Sequence, residues 1–291
     1  MSQPPPHVQS LIRDAVRGPS FTGAIAAPAF DELVSANGGD AFGTLRLLAP
    51  FAGVNAHIPV SDYRVGVAAL GQSGSVYLGA NLELAGAPLY LAVHAEQSAV
   101  GIAMNHGESA LTALGVNATP CAHCRQFLLE LGDPTHLQVV TPDRTVGLDM
   151  LVPEPFEPSA LGSQAKALED SSELDEPAAS IEDRVISQAL IAAQRSHTPY
   201  TSSPAGVALQ LTNGAVVVGS YIESVAFNPS LDPVRAACAA AQAQGWPANR
   251  IDRLVLVADP THPVRHDRIA MTTAAWLPET PEVEIHDPST L

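Results

Sequence analysis

Val65-Gly-Val-Ala-Ala-Leu-Gly-Gln-Ser-Gly-Ser-Val-Tyr-Leu78 consists of two short apolar runs around a Gly-Gln-Ser-Gly turn. Apolar runs bounded by turn residues predict two strands. Further along, His94 to about His106 is Ala-rich and periodic, which predicts a helix. Leu111 to Val116 predicts another strand, and Cys121 to Leu131 a second helix stopped by Gly132 and Pro134. Leu137-Gln-Val-Val140 predicts a further strand. Strands alternating with helices point to an α/β sandwich over residues 49–150.

On the N-terminal side, Val8-Gln-Ser-Leu-Ile-Arg-Asp-Ala-Val16 and Ala41-Phe-Gly-Thr-Leu-Arg-Leu-Leu48 place apolar residues at helical spacing. Residues 1–48 therefore read as a small appended helical unit. On the C-terminal side, residues 151–180 carry Pro153, Pro155 and Pro158, then Glu169, Asp170, Glu173, Asp175 and Glu176. This is a Pro-rich, acidic linker, expected to be extended or partly disordered.

Beyond the linker the first unit returns. His57-Ile-Pro59 recurs as His197-Thr-Pro199, Gly66-Val-Ala68 as Gly206-Val-Ala208, and Gly79, Glu83 and Pro120 as Gly219, Glu223 and Pro260. Every pair is 140 residues apart. Residues 181–291 thus read as a second copy of the same α/β unit. At that spacing His94, Glu96, Cys121 and Cys124 fall on Val234, Ala236, Thr261 and Val264. The second copy is expected to keep the scaffold and lack chemistry of its own.

The 291 residues carry 14 basic and 30 acidic side chains, a formal charge of −16, and 46% of them are hydrophobic. An acidic surface without a Lys/Arg cluster repels phosphate backbones, so nucleic acid is not an expected partner. No apolar run reaches the length of a membrane span. Met1-Ser-Gln-Pro-Pro-Pro-His7 lacks the basic and apolar regions of a secretory signal. Three cysteines do not make a disulfide framework, and a cytoplasmic location is expected.

The chemistry lies in His94-Ala95-Glu96 and Pro120-Cys121-Ala122-His123-Cys124. Two thiolates and one imidazole, His94, Cys121 and Cys124, suit zinc, and three protein ligands leave one position for water. Zinc brings the pKa of such a water to roughly 7. Pro120 places Cys121 at a helix N-terminus, where free N–H groups favour thiolates. Glu96 points away from His94 on the helix and is free to act as a proton shuttle. His123 is a rival ligand by type, but its spacing turns it away, toward packing or a place just behind the ligands. Cys238, in Ala-rich sequence, reads as a small core residue.

This pattern resembles the known H-x-E and P-C-x-x-C signature of zinc nucleobase deaminases. Together with Gly79-Ala-Asn-Leu-Glu83, His94-Ala-Glu-Gln-Ser-Ala99, Pro120-Cys-Ala-His-Cys-Arg-Gln-Phe127 and Ala226-Phe-Asn-Pro229, it resembles the cytidine deaminase family in its long dimeric form. The resemblance covers most of the chain from about residue 49 onward. It implies a duplicated three-layer α/β/α sandwich with a degenerate C-terminal domain. It implies zinc-dependent hydrolysis of cytidine and deoxycytidine, in pyrimidine salvage. It assigns Asn81 and Glu83 to the ribose hydroxyl, the aromatic position at Tyr63 to the base, and the backbone near Ala95 to the transition state. Family members commonly have phenylalanine where Tyr63 stands. The resemblance also implies a homodimer with shared sites, to which Phe156 and Ala226 contribute from the neighbouring subunit. Two alternatives stay open: a deaminase of another cytosine-containing substrate, and a catalytically silent nucleoside- or zinc-binding protein.

Overall fold

The computed structural model describes residues 5–16, 21–169, 181–246 and 250–291. A six-stranded sheet runs in the order β1 (Ala24–Ile25), β3 (Val76–Ala80), β2 (Gly66–Gly71), β4 (Leu111–Val116), β5 (Gln138–Val140) and β6 (Thr145–Gly147). The predicted pair is β2 and β3, antiparallel, with Gly74 at φ +84° in the turn. That left-handed conformation is open to glycine without strain.

Side chains alternate across the sheet as the two-residue period requires. Ala68, Leu78 and Ala113 face Ile12 of α1 (Pro6–Ala15), Phe30 of α2 (Ala27–Ala36) and Leu45 and Leu48 of α3 (Ala41–Ala52). Val67, Ala69, Tyr77 and Leu114 face α4 (Ala95–Asn105) and α5 (Ala122–Leu128) on the other side. The N-terminal helices thus form one outer layer of the sandwich. α3 continues past residue 48, and β1 pairs with β3, because their apolar residues have a sheet face to cover. A 3-10 turn at Leu129–Leu131 extends α5 to the predicted end at Leu131.

A four-stranded sheet follows in the order β10 (Glu282–His286), β9 (Ile251–Ala258), β7 (Ala205–Leu211) and β8 (Val216–Ser220). α6 (Arg184–Gln194) covers one face, and α7 (Pro233–Ala243) and α8 (His266–Trp276) the other. The repeat read from the sequence is present in the register. Gly66–Leu70 pair with Ala80–Val76, and Gly206–Gln210 pair with Ser220–Val216. Even the irregularity after Leu70 recurs after Gln210. One apolar cluster, containing Ala99 and Ala103 of α4 and Ala237 and Ala240 of α7, continues from one copy into the other. Of the 151–180 linker, Ser163, Ala167 and Leu168 are buried, and Ala167 N–H donates to Glu130 O at 2.8 Å. The acidic run from Asp170 to Glu176 lies outside the described residues.

The constant spacing breaks where the helices begin. α4 starts after His94, and α7 after Asp232. A Cβ on Gly79 would fall 2.2 Å from Ala95 O, and one on Gly219 would fall 2.4 Å from Pro233 O. Each helix therefore rests on a strand glycine, and these contacts match the two helices at 138 residues. Asp232, rather than Val234, takes the place of His94, and Val234 takes that of Glu96. α5 starts after Cys121, whereas α8 starts after Arg265, with Thr261 and Val264 in the turn before it. Strands hold their spacing because every residue is tied into a ladder, while loops absorb insertions and deletions.

Candidate active site

Two helix starts converge on one point. His94 is the N-cap of α4 and Cys121 the N-cap of α5, both in extended backbone, and Cys124 lies on the first turn of α5. His94 Nδ1 is 3.4 Å from Cys121 Sγ and 3.2 Å from Cys124 Sγ, and the two sulfurs are 3.6 Å apart. A tetrahedral zinc, with Zn–S of about 2.3 Å and Zn–N of about 2.0–2.1 Å, sets its donors roughly 3.5–3.8 Å apart. The donor set and its spacing fit that ion. His123 stands close beside the donors. One ring atom falls within the same 4.8 Å group of donors, and its ring lies 5.2 Å from that of His94.

The electrostatics follow from this crowding. Cys124 and His94 hydrogen-bond the Cys121 thiol and bring its pKa down to about 3. The same Cys121 contact, with burial, pushes Cys124 up. The Cys121 contact also raises His94. A metal binds cysteine as the thiolate, so metal binding here would displace the thiol protons. Burial raises the carboxyl of Glu96, which is 3% exposed and touches the Cys124 sulfur.

Beside these donors opens a pocket of about 460 Å³, a size that suits a small-molecule ligand. Its lining includes Tyr63, Asn81, Glu83, His94, Ala95, Glu96 and Cys121. Cys124 is buried beneath it. The structure thus brings together the predicted base, sugar, metal and acid positions. Phe156 and Ala226 do not line this pocket within one chain; Phe156 stands 48% exposed. Among the described residues, no lysine or arginine lines it. Arg125, close by in sequence, donates to Pro120 O and Leu151 O.

Asn81 and Glu83 also serve the pocket wall. Asn81 Oδ1 accepts from Val65 N at 2.9 Å, and its Nδ2 donates to Tyr63 O at 3.0 Å. Glu83 accepts from Val60 N, Ser61 N and Ser61 Oγ. Burial raises the Glu83 carboxyl, but these Ser61 and Val60 donors outweigh it and leave the pKa below its ordinary value.

Models of the cytidine and deoxycytidylate deaminase zinc-binding region match residues 48–140 and again residues 148–271. A cytidine deaminase of Sodalis glossinidius (strain morsitans) is 40% identical over 257 residues, covering 84% of this chain and 83% of that protein. The chain belongs to the cytidine deaminase family. A cytidine deaminase of Proteus mirabilis (strain HI4320) is 42% identical over 214 residues, 72% of this chain and 71% of its own. The crystal structure of cytidine deaminase from Mycobacterium tuberculosis is 34% identical and covers 40% of this chain and 96% of its own, with a TM-score of 0.37.

In this family member the second copy arranges the equivalent positions differently. Tyr221 stands where Asn81 does, and its ring packs edge-on against the buried His266 at 4.5 Å. Asp232 caps α7 through Val234 N and Arg235 N and pairs with the Arg235 side chain. Among the described residues, only the first copy gathers a group of metal donors. Gln97 stands in a segment that the sequence singles out, His94 to Ala99, without a role of its own. Its Oε1 accepts from His94 N at 3.1 Å. A glutamine three residues into a helix is a capping-box signal, here obscured by a histidine at the N-cap.

Proposed function

We propose that the chain hydrolyses cytidine, and deoxycytidine with it, to the uracil nucleoside and ammonia, with zinc held by His94, Cys121 and Cys124. The observation that carries this reading is the convergence of the three zinc donors and a buried carboxyl on one wall of a nucleoside-sized pocket. Zinc, when bound, supplies a Lewis acid that makes hydroxide available near neutral pH. Glu96 takes a proton from the attacking water and delivers it to the pyrimidine N3, then takes the second from the new C4 hydroxyl and passes it to the C4 amino group, which leaves as ammonia. Burial suits it to this work, since a carboxyl with a raised pKa holds a proton more readily. Asn81 and Glu83 face the ribose, and the Tyr63 ring lies along the base. The backbone near Ala95 and Cys121, at two helix starts, faces the charge that develops at C4. A lining that, among the described residues, carries the carboxyls of Glu83 and Glu96 and no basic side chain supports a neutral nucleoside over a nucleotide.

The division of labour we favour puts all chemistry in residues 49–150, with residues 181–291 as a silent scaffold. A homodimer would bring Phe156 and Ala226 of one subunit to the other's pocket; the exposure of Phe156 supports this. A cytoplasmic enzyme agrees with the free cysteines, and among the described residues no helix is long and apolar enough to cross a membrane.

The test is purified protein with cytidine, deoxycytidine, cytosine and dCMP, following loss of the cytosine absorbance and measuring zinc on the same sample. Cytidine turnover with zinc bound is expected. Activity confined to cytosine or dCMP would overturn the nucleoside assignment. Glu96→Ala should end ammonia release and keep zinc; cytidine hydrolysis that survives it sinks the proton-shuttle role.

A further inference from the structure

The two copies grip each other by mirrored contacts. Gln97 Nε2 donates to Pro229 O at 2.8 Å, and Arg235 Nη1 donates to Leu91 O at 3.3 Å. Gln97 and Arg235 occupy the same position in α4 and α7, and Leu91 and Pro229 the same position in the loops before them, all at the 138-residue spacing. A second mirrored pair lies at the far end of the same interface. Asn55 Nδ2 donates to Ala243 O, and Arg195 Nη1 to Asn105 O, both at 2.7 Å.

Only the first pair brackets the active site. Arg235 holds the chain at Leu91 and Gln97 holds it six residues later. The five residues between them, Ala92 to Glu96, all line the pocket. The Gln97 side chain is 1% exposed, and both ends of its planar amide are engaged. One end accepts from the His94 backbone and the other donates into the second copy. Fixing the outer end therefore fixes the inner one. Arg235, 9% exposed, also donates to Ser230 O at 3.4 Å and pairs with Asp232, so its reach to Leu91 is itself braced.

We propose that Gln97 and Arg235 are positioning residues through which the silent copy holds Leu91–Gln97, and with it His94 and Glu96, in zinc-binding geometry. Neither side chain touches the reacting atoms. The inference rests on the zinc assignment above, and its readout is zinc release rather than turnover.

Gln97→Glu keeps the acceptor for His94 N–H and turns the donor opposite Pro229 O into an acceptor. Arg235→Lys keeps the charge beside Asp232 and loses the fork. Asn55→Asp breaks the remote contact to Ala243 O and serves as the control. Zinc transfer to a chromogenic chelator should accelerate about 10- to 100-fold in both Gln97→Glu and Arg235→Lys. It should stay at the wild-type rate in Asn55→Asp, with melting temperature followed for all three. If Gln97→Glu does not yield folded protein, Arg235→Lys decides alone. Wild-type release rates in the clamp variants would overturn the proposal. Equal acceleration in Asn55→Asp would overturn it too, because any loosening of the interface would then suffice. A chain that shows the expected zinc kinetics without turning over cytidine contradicts the functional reading and leaves the clamp intact.

Discussion

At the N-cap of α4 stands His94; at the N-cap of α7 stands Asp232. The sheets beneath them share their register, and a glycine lies under each helix. His94 turns its ring toward two sulfurs, while Asp232 spends its carboxylate on its own helix and on Arg235. Glu83 and Glu223, by contrast, do the same work. Each accepts from the turn before its sheet, Glu83 from Val60 and Ser61, Glu223 from Tyr200 and Thr201. The comparison separates two demands on one scaffold. Register, strand glycines and turn carboxylates build the fold in both copies, and the metal donors gather in the first copy at two helix starts. A helix N-terminus offers unpaired N–H groups to an anion, which suits the Cys121 thiolate at the start of α5 and the Asp232 carboxylate at the start of α7.

The comparison is most exposed at the acid. Glu96→Gln in the first copy should lower kcat for cytidine by about 100- to 10,000-fold. Val234→Ala, at the equivalent place in α7, should leave kcat per folded molecule unchanged. Metal analysis should find a single zinc per chain, and a second would refute the silence of the C-terminal copy.

The junction comes next. Glu130, 1% exposed, accepts from Tyr200 OH at 2.7 Å and Val225 N at 2.7 Å, and lies 3.1 Å from His197 Nε2. Removing one partner strands the others in a dry interior. Glu130→Ala should lower the unfolding free energy by about 3–5 kcal/mol, read by urea titration.

Gly79→Ala and Gly219→Ala each push a methyl into helix backbone and should destabilise by about 1–3 kcal/mol. Gly79→Ala should also lower kcat, since its helix carries Glu96. An equal loss of kcat in Gly219→Ala would mean that the second copy takes part in the chemistry.

The smallest effect concerns acid. Burial raises Glu108, but bonds from Ser73, Tyr77 and the Ser109 and Ala110 backbone outweigh it and hold its pKa below 4.5. Its ionised form is therefore favoured in the folded chain. That stability is fully present above pH 4.5 and fades as pH falls through the lower folded value. The urea midpoint of Glu108→Gln should converge on that of wild type as the buffer is acidified below pH 4.5. A constant gap would show that its charge contributes nothing.

That His94, Cys121 and Cys124 lie within reach of one another was legible in the sequence, because metal donors are of particular residue types and a helix start limits their spacing; their role as zinc ligands, and that of Glu96 as acid, stays a proposal. The duplication was legible because strand ladders forbid slippage, so His57 and His197 kept the same place. The match of His94 with Val234 failed for the complementary reason. Loops tolerate length changes, and two residues lost before α7 moved the correspondence to Asp232. Gln97 was hidden because an amide gains a role only from what faces it, here a proline carbonyl 132 residues away in sequence. The place of α1–α3 in the sandwich was hidden because periodicity shows that a helix has an apolar face, not which sheet will cover it. The sequence by itself determined the metal chemistry and the repeat, which local spacing encodes. Only the tertiary structure decided which residues of the second copy stand against the first, because that is set by the meeting of two distant helix starts.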